Sequence, residues 1–120
     1  MAVRNFKELI VWQKSMELTT EIYQLCKQFP REEVYGLKSQ ICRAAVSVPS
    51  NIAEGQGRKS TAEFLNFLSI AKGSLCEIET QLIIATNLNY LEIQDTMKAQ
   101  NLIVEIKKML SSLCSSLNKP

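Results

Sequence analysis

At 120 residues the chain is long enough for one ordinary domain with a real hydrophobic core. Its 46% hydrophobic and 22% charged residues are the balance of a globular protein, and a formal charge of +2 is too small to demand a polyanionic partner. There is no histidine, which excludes histidine-dependent zinc and di-iron sites and any Ser-His or Cys-His nucleophile pair. No catalytic residue, metal site or cofactor is expected. The cysteines at 26, 42, 76 and 114 form no C-x-x-C pair and read as free thiols serving as small hydrophobes in a reducing cytoplasm. The first eight residues carry no apolar export signal, and no apolar run is long enough to span a membrane. A soluble cytoplasmic protein is the expectation.

The first predicted helix covers about residues 7–29. Leu9, Met16 and Tyr23 repeat every seven residues, as do Val11, Leu18 and Leu25, with Trp12, Ile22, Cys26 and Phe29 in further rows. Together they form an apolar arc of roughly 160° that needs more than one neighbour. Pro30 ends this helix, because the residue before a proline avoids the helical region.

The second helix begins between residues 34 and 36 and buries Leu37, Ile41, Ala44, Ala45, Val48 and Ile52. Pro49 interrupts it and leaves the Ala45 carbonyl without its usual donor. Either one helix is kinked at Pro49, or it breaks at Ser47-Val48 and restarts with the proline in its first turn. The apolar spacing continues in phase to Ile52, which favours the single kinked helix. Proline inside a helix costs about 3 kcal/mol, so an offsetting contact is expected.

Gly55 and Gly57 are read as the end of this helix, and Ser60-Thr61-Ala62-Glu63 as a capping box that opens the third. The short link makes the two helices antiparallel neighbours. The third helix runs to about residue 86, burying Phe64, Phe67, Leu68, Ala71, Leu75, Ile78, Leu82 and Ala85. Ala71, Gly73 and Ser74 form a second patch where backbones could approach closely. A turn over residues 87–91 leads to a fourth helix, residues 92–117, with Ala99, Ile103, Ile106, Leu110, Leu113 and Leu117 in one stripe. No segment alternates with a strand's period. The reading is a single all-α domain over residues 1–120, an up-down-up-down antiparallel four-helix bundle with its second helix kinked at Pro49. Ile10, Val46, Ile70, Ile83, Ile84 and Val104 fall outside the core stripes and are candidate subunit contacts.

Several segments carry a family likeness: Phe6-Lys7-Glu8-Leu9, Val11-Trp12-Gln13-Lys14, Tyr35-Gly36-Leu37, Gln40-Ile41-Cys42-Arg43-Ala44-Ala45, and residues 63–79. The most specific is Val46-Ser47-Val48-Pro49-Ser50-Asn51-Ile52-Ala53-Glu54-Gly55-Gln56-Gly57-Arg58. Over nearly its whole length the chain resembles the four-helix-bundle proteins of the 23S rRNA intervening-sequence family. Relatives of that family include the accessory variability determinant of diversity-generating retroelements. The resemblance implies a homopentamer, no catalytic activity, and nucleic acid (RNA or DNA) and a reverse transcriptase as partners.

Candidate binding residues follow from charge. Residues 31–60 hold five cations against three acids, whereas residues 61–90 hold one against three. Lys38, Arg43, Arg58, Lys59 and Lys72 are the candidate phosphate contacts. The competing reading is that they solubilise an exposed face and pair locally, as Glu54 and Arg58 would at i, i+4, worth about 0.3–0.5 kcal/mol. No base-reading motif or stacking aromatic accompanies them in the sequence, so any binding is expected to be sequence-tolerant. Arg43 is expected either in a salt bridge with Glu54, Glu77 or Glu79, or on a phosphate. Pro49, Asn51, Glu54 and Gly55 form a structural motif, with Asn51 placed to serve the freed carbonyl region or to cross to another helix. Trp12 is a core or interface anchor. The alternative function is a protein-interaction module that binds no nucleic acid.

Overall fold

The four apolar stretches become four helices in a computed structural model that describes residues 5–119. They are α1 (Ile10–Cys26), α2 (Leu37–Gln56), α3 (Thr61–Asn87) and α4 (Met97–Leu117), with single 3-10 turns at Phe6–Glu8, Arg31–Glu33 and Ile93–Thr96. No strand occurs among the described residues. The N-terminal export-signal reading rests partly on residues 1–4, which lie outside them.

Cross-helix contacts set the directions. Thr19 meets Ala45 and Cys26 meets Cys42; Ser74 meets Ser47 and Gln81 meets Gln40. Lys107 pairs with Glu79, Lys14 with Glu105 and Lys98 with Glu21. Across α1/α2, α2/α3 and α1/α4 one number rises as the other falls, so each helix is antiparallel to the next. α4 closes the square against α1, and α2 with α3 makes the most extensive seam. The result is a bundle 48 Å long, consistent with 27-residue α3 spanning about 40 Å at 1.5 Å per residue.

Most of the predicted core is buried, while Leu37, Phe64, Phe67, Leu113 and Leu117 are only half-buried. Leu18, Ile22, Ile41, Val48, Ile52, Leu68, Leu75, Ile78, Leu82, Ile103, Ile106 and Leu110 are fully buried. Burying each such side chain contributes about 1.5–3 kcal/mol. All six residues set outside the core stripes, Ile10, Val46, Ile70, Ile83, Ile84 and Val104, are exposed.

Helix α1 differs from its forecast. It starts at Ile10, after an extended Leu9, and ends at Cys26. The row read as Leu9-Met16-Tyr23 is not core: Met16 is 42% exposed and Tyr23 48%. Two neighbours cover less of α1 than the apolar arc offers.

Helix α2 runs without a break through Pro49. The contact that offsets the proline comes from α1. Thr19 Oγ1 lies 3.0 Å from the Ala45 carbonyl oxygen and 2.9 Å from that of Ser15, sharing its single proton between them. Asn51 plays a different part from the one expected. Its Nδ2 donates to the Ser47 carbonyl at 2.8 Å and to Ser47 Oγ at 2.9 Å, staying within its own helix.

The glycines divide in an unexpected way. Gly55 does not end α2; it is buried inside the helix, and a Cβ there would meet Phe67 Cβ at 2.8 Å and Phe64 Cδ1 at 2.9 Å. Gly55 therefore sets the close approach of α2 and α3. Gly73, read as another such point, is open: a Cβ there would meet nothing within 4 Å. Ser60 opens α3 as predicted, its hydroxyl accepting the Glu63 N–H at 3.1 Å.

A clasp joins the start of α2 to the turn after α3. The Leu37 N–H and the Tyr90 hydroxyl both donate to Glu33, at 2.9 and 2.7 Å. The Leu37 bond first, then the Tyr90 bond, hold the Glu33 carboxyl below its ordinary range.

Candidate nucleic-acid interface

The five candidate cations do not form one patch. Lys38 sits in the first turn of α2 on the α1 side, near the buried thiols of Cys26 and Cys42. Those sulfurs lie 3.8 Å apart, and burial followed by the neighbouring thiol pushes Cys26 up to about 12. Arg58 and Lys59 stand at the opposite end of α2, in the link to α3. Lys72 lies on the α4 side of α3, where it lines a small cleft with Cys76, Lys107 and Ser111. Arg43 occupies the α2/α3 groove. From residue 43 to residue 58 the helical rise alone is about 22 Å.

Their pairing sorts them further. Arg58 donates to Glu54 at 2.8 Å, as the local reading anticipates. Its guanidinium also stacks 4.9 Å from the centre of the Phe67 ring, a cation–π contact that the sequence reading missed. Lys38, Arg43, Lys59 and Lys72 make no salt bridge among the described residues. For Arg43 this removes the expected ion pair: the side chain is exposed, and Glu77 only shares its groove. Lys107, absent from the candidates, is engaged with Glu79 across α3 and α4, which raises its pKa.

The groove around Arg43 has a volume of about 480 Å³ and is lined by Tyr35, Gln40, Arg43, Ser47, Glu77 and Gln81, among others. Tyr35 is 95% exposed. The expectation that no stacking aromatic accompanies the cations therefore fails at Tyr35, whose ring is open, while the Phe67 ring is taken by Arg58. Tyr35 lies before the helix begins, where no helical wheel could place it beside residue 43. The floor is hydrogen-bonded, with Ser74 Oγ donating to Ser47 Oγ at 2.8 Å.

The other flank of α2 is apolar. Phe6, Trp12, Met16, Val46, Pro49 and Ala53 line a shallow groove between α1 and α2. Trp12 is half-buried, its ring packed edge-on against Phe6 at 5.2 Å. No helix among the described residues is long and apolar enough to cross a membrane.

Comparison with known proteins gives this architecture a family. No curated protein matches the chain. A solved structure does: the crystal structure of a protein with unknown function from the S23 ribosomal protein family of Bacteroides thetaiotaomicron VPI-5482. It is 30% identical, with a TM-score of 0.79 over 87% of this chain and 97% of that one. The model of the 23S rRNA-intervening sequence protein family matches residues 7–112. With the match covering α1 to α3, most of α4 and the Pro49 segment, the chain belongs to the 23S rRNA-intervening sequence protein family.

Proposed function

We propose that the chain is a non-enzymatic, self-associating helical bundle that binds the phosphate backbone of RNA or DNA as an accessory or scaffold in the cytoplasm. The observation that carries this reading is the set of unpaired cations: Lys38, Arg43, Lys59 and Lys72 make no salt bridge among the described residues. Arg58 is held by Glu54 and Phe67 beside Lys59. A single copy spreads these charges over both ends of α2 and the α4 side of α3. Assembly would repeat them at symmetric positions and build rings of positive charge. The outward Ile10, Val46, Ile70, Ile83, Ile84 and Val104 supply surfaces for that assembly, and the resemblance makes a pentamer its form. An rRNA insertion or a reverse transcriptase is the context the resemblance suggests.

The test is filter binding to RNA and to DNA over a salt series, with light scattering on the eluting species. Affinity is expected to fall linearly on a log–log plot against salt, and the double variant Arg58→Ala, Lys59→Ala to bind more weakly with a shallower slope. A flat salt response, or unchanged affinity in the double variant, would overturn it. The same outward apolar residues favour a second reading, a protein-interaction module whose cations only solubilise its surface. Oligomers without salt-dependent binding are its signature.

A further inference from the structure

The α2/α3 groove is built for more than a phosphate. A bare phosphodiester needs donors alone, and here Glu77 shares the cleft with Arg43 and would repel it. Beside the Tyr35 hydroxyl, the remaining polar lining consists of amides and hydroxyls, from Gln40, Gln81, Ser39, Ser47 and Ser74. Gln81 is only 8% exposed, yet its Oε1 has no hydrogen-bond donor. Its Nε2 reaches Gln40 Oε1 at a long 3.4 Å. A dry, unpaired acceptor is a standing penalty that a ligand N–H would relieve. Gln40 is exposed and holds the Gln81 amide by that one long bond, so breaking it lets the amide rotate and bring Oε1 toward the ligand. Tyr35 supplies an uncovered ring beside the cleft.

From this combination we infer that the groove takes an unpaired guanine base, a reading that rests on the nucleic-acid proposal above and narrows it. Guanine carries the adjacent N1–H and N2–H2 donors on one edge and the O6 and N7 acceptors on the next. The donors answer Glu77 and Gln81 Oε1. The acceptors answer Arg43, whose fork fits O6 and N7. Tyr35 provides the stacking face used wherever unpaired bases are held. Adenine brings one amine to two acceptors, and uracil one N–H between two carbonyls.

Two arms test this on the full chain. In the first, isotope-labelled protein is titrated with GMP and separately with AMP, following the side-chain amides of Gln40 and Gln81. GMP is expected to shift them saturably at concentrations where AMP does not. In the second, a uridine-rich single-stranded RNA carries one central guanine, adenine or inosine, the last lacking the N2 amine. Central guanine should bind roughly fivefold or more tightly than adenine, with inosine between them. Glu77→Ala, at an exposed residue, should erase the preference. Equal responses to GMP and AMP, or equal affinity for the three strands, would overturn the base pocket. If strands bind with a salt slope but no preference, the pocket falls and the backbone reading stands. If GMP moves the amides while strand binding is flat in salt, the pocket stands and the backbone reading falls.

Discussion

The two flanks of α2 are opposites. Toward α1, the helix presents Val46, Pro49 and Ala53 to an aromatic and aliphatic groove. Toward α3, it presents Gln40, Arg43 and Ser47 to a polar one. One helix of small residues thus carries a flank suited to apolar partners and a flank suited to hydrogen-bonding ligands. The two seams are also fixed by different means. Against α3 a glycine sets the closest approach; against α1 a hydroxyl meets a carbonyl that a proline has freed.

Substitutions can break this contrast in order of size. Gly55→Ala drives a Cβ into the fixed Cβ of Phe67, and overpacking of this kind costs about 1–3 kcal/mol. Denaturant melts should show the midpoint fall without a change in slope. Thr19→Val keeps the shape but removes the donor to Ala45, at a cost of about 1 kcal/mol at this half-buried site. A double variant with Pro49→Ala should recover most of that loss, because an alanine N–H restores the intrahelical bond. Gly73→Ala sharpens the comparison from outside both seams: with nothing near its Cβ, it should stabilise the protein by about 0.5–1 kcal/mol. Thermal unfolding separates its sign from that of Gly55→Ala.

Those two glycines also mark where one-dimensional reading stops. Both lie near small residues, and nothing local distinguishes the one pressed against Phe67 from the one in open space. The core stripes of α2, α3 and α4 were legible because burial on one face imposes the helical period, and the outward isoleucines and valines were legible as its exceptions. Met16 and Tyr23 were misplaced because a wheel gives the width of an apolar arc and not how much its neighbours cover. The orphaned Ala45 carbonyl followed from proline chemistry. Its donor lay 26 residues earlier on another helix and could not be found by spacing. In the candidate site, the Glu54–Arg58 pair was visible at i, i+4. The groove that joins Tyr35, Arg43, Glu77 and Gln81 exists only once α2 and α3 are docked.

The proline gives α2 a property that an all-alanine helix would lack. An uninterrupted helix satisfies its own backbone, so side-chain packing alone sets its register against a neighbour. Here one oxygen at Ala45 awaits a hydroxyl, and only alignment with Thr19 delivers it. Pro49 and Thr19 therefore act as an index mark between two rods, rejecting neighbouring alignments of the pair by leaving that oxygen dry.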